Sequence, residues 1–193
     1  MGDETLFQPL TREDRITVVL YRAGIVISSL ALAAAAFLSR FSPAAPRAAF
    51  LLLAVYAGTG LSVFFIHLYV GKFHRFLKKL YLIALLCLGA LYILGQGDVA
   101  AALDRRIPAL LLLPLAGCLG FVTAKEAFCF RLLEGYLLAM LLPMAVVLYA
   151  AGLPVSASVS VLAAAAALHV IFTLRKVFMP IHYDIGDKSA YQP

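Results

Sequence analysis

This chain has few charged residues and no tryptophan. Only 13% of its 193 residues are charged and none is Trp, whereas 64% are hydrophobic. A soluble domain carries about 25% charged residues, so the composition argues against a soluble fold. In lipid the backbone N–H and C=O groups have no water to bond, and long apolar stretches satisfy them as helices. The composition therefore predicts an all-α, polytopic membrane protein.

Cysteine is also scarce, and common catalytic motifs are missing. The three Cys residues, two of them inside apolar stretches, imply no disulfide framework. The sequence contains no G-x-S-x-G, H-E-x-x-H or Walker A motif, and no metal-ligand cluster with fixed spacing. These absences favour a non-enzymatic membrane protein without a metal.

Six apolar stretches, separated by short basic or Pro/Gly-rich connections, predict six transmembrane helices. Each has the roughly 20 residues that a membrane-spanning helix needs. The predicted spans are residues 16–38, 48–70, 77–94, 107–124, 132–151 and 155–174. They make one transmembrane domain, residues 16–178, between cytoplasmic tails 1–15 and 179–193. Pro46 opens the second span, and the short segment from Val99 to Arg106 is predicted to lie along the interface.

The net charge of +6 comes from residues that flank the spans. No nucleic-acid-binding motif accompanies it, so we expect no nucleic acid partner. Basic loops stay in the cytoplasm, and an N-in/C-in arrangement in the bacterial inner membrane puts twelve of the 16 Lys and Arg residues there. The twelve are Arg12, Arg15, Arg22, Lys72, Arg75, Lys78, Lys79, Lys125, Arg131, Arg175, Lys176 and Lys188. The four outside are Arg40, Arg47, Arg105 and Arg106.

Ionisable residues in or beside the spans are the candidate functional residues. Such groups usually face the interior of a helix bundle, and here they gather toward the cytoplasmic leaflet. The densest run, Lys125 to Gly135, links the fourth and fifth spans. The candidate polar site comprises Arg22, His67, Lys125, Glu126, Cys129, Arg131, Glu134 and His169.

Within this run the spacing suggests two local interactions. If the segment is helical, Arg131 and Glu134 are three residues apart and close enough to pair. Cys129 has Lys125 and Arg131 nearby, and these cations would favour a reactive thiolate. The flanking phenylalanines favour instead a cysteine packed at the interface, and an ordinary charged hairpin explains the whole run equally well.

The two histidines leave three alternatives open. His67 and His169 are expected at similar depths below the cytoplasmic boundary. They are candidates for axial haem ligands, for a proton or ion path with Glu134, or for simple hydrogen bonding in the interface. Without a C-x-x-C-H motif no cofactor is predicted, and haem stays an alternative.

Prolines and glycines predict how the helices bend and pack. Pro114 and Pro143 are expected near mid-membrane, where each bends its helix. Small residues permit close contact between helices. The glycines in question are Gly58, Gly60, Gly117 and Gly120.

Three functional hypotheses follow. The first is a membrane protein that binds or transports a small solute through a polar site in the cytoplasmic leaflet. The second is a non-catalytic assembly or scaffold subunit, whose small-residue faces pack against a second copy or a partner membrane subunit. The third is a haem- or quinone-binding redox protein.

One segment resembles a known family. The stretch Lys125-Glu126-Ala127-Phe128-Cys129-Phe130, followed by Leu141-Leu142-Pro143, is similar to the K-E-x-x-C-[FY] stretch and Leu/Pro-rich span of the DUF2301 integral membrane proteins of bacteria and plastids. The resemblance covers roughly Arg15 to Met179. It implies a membrane protein and brings no activity, cofactor or catalytic residue.

The topology has a direct test. Because the connection after the fifth span is predicted outside, a reporter fused after Gly152 should be active only as an extracytoplasmic reporter. A fusion at the C-terminus should report the cytoplasm. Cytoplasmic activity of the Gly152 fusion would overturn the N-in/C-in arrangement.

Overall fold

The described part of the chain is helical and has no β-strand. The structure is a computed structural model that describes residues 10–41 and 47–186. Its helices are α1 Arg12–Phe41, α2 Arg47–Phe65, α3 Gly71–Leu94, α4 Val99–Leu103, α5 Leu113–Phe130, α6 Leu133–Ala150, α7 Val155–Val177 and α8 His182–Ile185. A 3-10 segment, Ile107–Leu112, precedes α5. Pro46, Lys188 and parts of both predicted tails lie outside the described residues.

Five of these helices are long and apolar enough to cross a membrane. They are α1, α3, α6, α7 and the continuous 3-10 and α segment Ile107–Phe130. The second predicted span corresponds to α2, whose apolar part, Ala49–Phe65, is shorter than the others. Spans range from about 17 to 25 residues, so α2 is at the lower limit. Six spans therefore remain a prediction.

Long helices that follow one another along the chain run antiparallel. The Ser62 hydroxyl on α2 donates to the Tyr21 carbonyl on α1 over 3.3 Å. On α3 and α5 the rings of Phe73 and Phe121 lie 6.3 Å apart. Further pairings join α5 to α6, α6 to α7, and α7 back to α1. A ring of α1, α2, α5, α6 and α7 results, with α3 packed on α5 and α2.

This arrangement collects several helix ends at one end of the bundle, which we call the charged end. It comprises the N-terminal parts of α1, α3 and α6, the α2–α3 linker, the C-terminal parts of α5 and α7, the α5–α6 turn, and α8. All candidate residues predicted for the cytoplasmic leaflet lie on these segments.

Local chemistry explains where α1 begins. The Asp14 amide donates to the Thr11 hydroxyl over 3.1 Å, and the Thr11 amide donates to the Asp14 carboxylate over 2.8 Å. This reciprocal pair is a capping box, which satisfies two backbone donors that have no partner within the helix. The acidic tail before the first span is thus partly a helix start.

The helix α2 ends at Phe65, earlier than the predicted span end at residue 70, and α3 begins at Gly71 instead of 77. His74 on the first turn of α3 lies 3.2 Å, through its Nε2 atom, from the Val63 carbonyl. The carbonyls of the last turn of a helix lack partners within it, so this contact lets α2 stop early. His67 therefore lies in the linker and not in a span.

Pro114 and Pro143 have different surroundings. Pro114 is the second residue of α5, directly after the 3-10 segment, where a missing N–H breaks no α-helical bond. Pro143 lies inside α6, as expected for a mid-span proline. At the other end of α5, Arg131 adopts a left-handed conformation with φ 54° and terminates the helix.

Large apolar side chains cover the outside of the bundle. Phe50, Leu86, Ile93 and Met140 are each at least 70% exposed. Such a surface would be an aggregation liability in water and is ordinary against lipid. The outer faces thus agree with the hydropathy.

The backbones of α1 and α2 pack closely against each other. A Cβ built on Gly24 would lie 2.5 Å from the Gly58 carbonyl, and one on Gly58 would lie 2.6 Å from the Ser28 amide. Ser28 and Ser62 extend the small surface one turn along each helix. Gly60 and Gly120 also sit close to neighbours, whereas Gly117 meets only Leu80 at an ordinary distance. The sequence missed Gly24, which lies against Gly58 in this contact.

A matched pair of substitutions tests this contact. Gly24→Ala places a methyl group against backbone and should lower the free energy of unfolding by about 1–3 kcal/mol, the usual range for overpacking. Gly89→Ala, on α3 with no atom within 4 Å of its built Cβ, should be neutral or up to about 1 kcal/mol stabilising. Thermal unfolding in detergent compares the two. Equal effects would contradict the close packing.

Candidate functional site

The charged end contains a buried ion network built around Glu126. Its carboxylate accepts hydrogen bonds from the Tyr21 hydroxyl on α1 and from Lys125 Nζ, both at 2.7 Å. It also pairs with Lys176 Nζ from α7. The Glu126 and Lys176 side chains are fully buried, and Lys125 is 12% exposed. One carboxylate therefore holds three helices together.

A second carboxylate, Asp184 on α8, continues the network. It pairs with Lys176 and accepts a bond of 2.7 Å from Arg22 Nε. The Asp184 side chain is 1% exposed and that of Arg22 is 10% exposed. The described residues thus form a continuous chain of charges across α1, α5, α7 and α8. We call Arg22, Lys125, Glu126, Lys176 and Asp184 the charge network.

Arg22 binds the end of α7 as well as Asp184. Its guanidinium donates to the carbonyls of Val177 at 2.9 Å, Met179 at 2.6 Å and Pro180 at 3.2 Å. Together with two contacts to Asp184, these acceptors use all five guanidinium donors. Arg22 thereby satisfies carbonyls at the end of α7 that have no helical partner.

The network has more positive than negative members, with three cations and two carboxylates. An aromatic ring compensates part of the excess, since Lys176 Nζ lies 4.0 Å from the centroid of the Phe130 ring and Lys125 Nζ lies 5.9 Å from it. A cation over a ring face is attracted by the ring quadrupole. The network nevertheless keeps one unit of positive charge.

Glu134 lies outside the charge network. Its two oxygens each accept a bond of 2.8 Å from Arg175 on α7. The Arg175 side chain is 52% exposed, so this is a peripheral pair. The predicted Arg131–Glu134 contact depended on helical spacing, which ends at Phe130 because Arg131 is left-handed. Arg131 is exposed, and Glu134 pairs with Arg175 instead.

The two histidines lie in different surroundings. His67 Nε2 is 3.2 Å from the Thr17 hydroxyl, and burial, together with the nearby charge of Lys125, lowers the pKa of His67. His169 is fully buried in α7, two turns and about 10 Å before Lys176. Neither of its ring nitrogens has a partner among the described residues.

The surroundings of the two rings do not single out a haem site. His67 Nε2 contacts Thr17 while its Nδ1 has no partner among the described residues, and the His169 ring has no accessible surface. The haem and quinone alternatives and the scaffold alternative gain no support from this geometry and remain predictions.

Cys129 lies one turn beyond Lys125 on α5 and is exposed. Its thiol is accessible, whereas Cys118 is buried. Accessibility is one requirement for a reactive thiol, and the reactivity of Cys129 stays a prediction.

The structure brings together Arg22, Lys125 and Glu126 from the predicted site and adds Tyr21, Lys176 and Asp184. The sequence pattern indicates Lys176 only as a basic residue that flanks a span, although it shares a helix face with Phe172 and His169 at spacings of four and seven residues. That periodicity is a signal that could have identified it. No sequence signal indicates Asp184, because its position depends on the path of the chain after α7.

A matched pair of charge removals tests the network. Glu126→Gln leaves buried cations without a counter-ion and should lower the free energy of unfolding by about 3–5 kcal/mol. Glu134→Gln removes a charge whose partner is half exposed and should cost about 1 kcal/mol or less. Denaturation in detergent measures both, and similar losses for the two variants would show that the network is not specially stabilising.

Comparison with known proteins bears on the whole chain. A protein of Haemophilus influenzae (strain ATCC 51907 / DSM 11121 / KW20 / Rd), described as an uncharacterized protein, is 28% identical over 196 residues, covering 100% of this chain and 99% of the relative. No solved structure matches. The family model described as "Uncharacterized integral membrane protein (DUF2301)" matches residues 61–192, which include Lys125, Glu126, Lys176 and Asp184. The chain therefore belongs to the DUF2301 family of integral membrane proteins.

Proposed function

We propose that this protein binds a small charged solute at the charge network and moves it across the membrane. The observation that carries the proposal is the network itself, in which five ionisable side chains are joined while at most 12% exposed. Ionisable groups buried in a membrane protein are expensive and usually mark solute or ion sites. Apolar side chains of similar volume would often hold the helices as well or better.

Lys125 is the member of the network best placed to meet a solute. It lies at the end of the chain of charges, and Glu126 is its one hydrogen-bond partner among the described residues. An ammonium group has three donors, so Lys125 can donate to another acceptor without losing Glu126. Lys176, in contrast, is fully buried between two carboxylates.

We further propose that the protein has six spans in a bacterial inner membrane, with the charged end in the cytoplasm. The support is the distribution of basic residues, because Lys72, Arg75 and Lys79 in the N-terminal part of α3 are exposed at that end. Basic residues near span ends are retained on the cytoplasmic side. A solute would then reach the charge network from the cytoplasm.

Binding is tested by thermal unfolding of the full chain in detergent with a panel of probes. The panel is inorganic phosphate, acetate, glycine and spermidine, with choline chloride at equal ionic strength as the reference and glucose as the uncharged control. A ligand at about 100 times its Kd stabilises the folded state by about 2.7 kcal/mol, which raises Tm measurably. At least one probe should do so.

Matched variants locate the site. Lys125→Gln should abolish the Tm shift, and Lys79→Gln, the same change at an exposed position, should retain it. Uptake of the active probe into proteoliposomes by the wild type, but not by Lys125→Gln, would support transport. If no probe stabilises the wild type or Asp184→Asn, or if Lys125→Gln responds as the wild type does, the proposed function is wrong.

A further inference from the structure

The carboxylates of Asp184 and Glu126 lie on helices of very different length. Glu126 belongs to the long helix α5, whereas Asp184 lies on α8, a helix of only four residues that follows Pro180. Short segments open locally at low free energy compared with a packed core. The part of the network that can most easily leave is therefore its second carboxylate.

The groups that receive Asp184 have the chemistry of an anion site. Arg22 presents Nε and a terminal nitrogen to one carboxylate oxygen, and Lys176 pairs with the other oxygen. A guanidinium beside an ammonium is a common arrangement for binding carboxylates and phosphates. Both cations are nearly or fully buried, so they need an anion between them.

Charge balance leads to the same conclusion. Without Asp184, the cations Arg22, Lys125 and Lys176 would face Glu126 alone. Uncompensated charge in a buried site is strongly unfavourable. When Asp184 leaves, another anion has to replace it.

We propose that α8 is a displaceable strap and that Asp184 is a built-in occupant of an anion site formed by Arg22 and Lys176. A solute or lipid that carries a carboxylate or phosphate binds there by displacing Asp184. The inference rests on the proposed function and adds to it the charge class of the ligand and the way access is controlled. Because a tethered carboxylate competes at high effective concentration, the closed strap lowers the apparent affinity for free anions.

Hydrogen exchange in the wild type tests strap opening directly. The amides of Tyr183, Asp184 and Gly186 bond to carbonyls within the segment, so their exchange reports whether α8 is folded. Saturating inorganic phosphate or acetate should speed their exchange about tenfold or more relative to choline chloride, because a strap held closed at least about 90% of the time becomes mostly open. Unchanged exchange with the anion bound would overturn the proposal.

Asp184→Asn tests the competition, and Asp104→Asn, the same change at an exposed residue of the opposite end, is the control. Asp184→Asn keeps the shape of the side chain and removes its charge, so the apparent Kd for phosphate or acetate should fall about tenfold or more. The control should bind as the wild type does. If Asp184→Asn does not fold, Asp184→Glu, whose longer side chain fits the site less well, should also lower the apparent Kd.

Two further comparisons distinguish lipid phosphate from free phosphate, and the strap proposal from the proposed function. Micelles with phosphatidic acid, compared with phosphatidylcholine, show whether a lipid phosphate opens the strap in place of free phosphate. Binding of spermidine that depends on Lys125, with α8 exchange and the Asp184→Asn affinity unchanged, would refute the strap and leave the proposed function standing. Absence of any binding to both wild type and Asp184→Asn would refute the proposed function itself.

Discussion

The position of one buried ammonium group constrains the whole charged end. Lys176 Nζ is fully buried between Glu126 and Asp184, and a buried charge is strongly unfavourable unless it is paired. Glu126 brings α5 to α7, Asp184 brings back the chain that follows α7, and Arg22 on α1 holds that chain. Three long helices and the C-terminal segment therefore converge because a charge has to be compensated.

Small residues allow this convergence. Gly24 and Gly58 let the backbones of α1 and α2 approach, and Gly135 lies against the Thr123 carbonyl where α6 meets α5. Helices in a bilayer gain little from burying apolar surface against each other, so close packing and polar contacts hold them together. Close backbones at the charged end also shorten the distance that side chains must span to form ion pairs.

The sequence anticipated much of the fold and part of the charge network. Hydropathy located every long helix, because apolar length alone decides which segments are stable as helices in lipid. Arg22, Lys125 and Glu126 were predicted as site residues because they interrupt that pattern. Glu134 was predicted in the same group, but it pairs with Arg175 outside the charge network. Arg131 ends α5 in a left-handed conformation, so the helical spacing on which the prediction relied does not continue to Glu134. Helix ends moved by several residues wherever side chains bonded free carbonyls, as His74 does at Val63.

The sequence alone is enough to predict the helical class, the apolar segments and the concentration of charges toward one end of the bundle. These depend on composition and on spacing along the chain. The tertiary structure determines which polar side chains meet. Lys176 pairs with two carboxylates, Arg22 pairs with Asp184, and Tyr21 donates a hydrogen bond to Glu126. Arg22 and Asp184 are separated by most of the chain, and no local pattern encodes a contact that arises only when α1 packs beside α7 and the segment after Pro180 folds back.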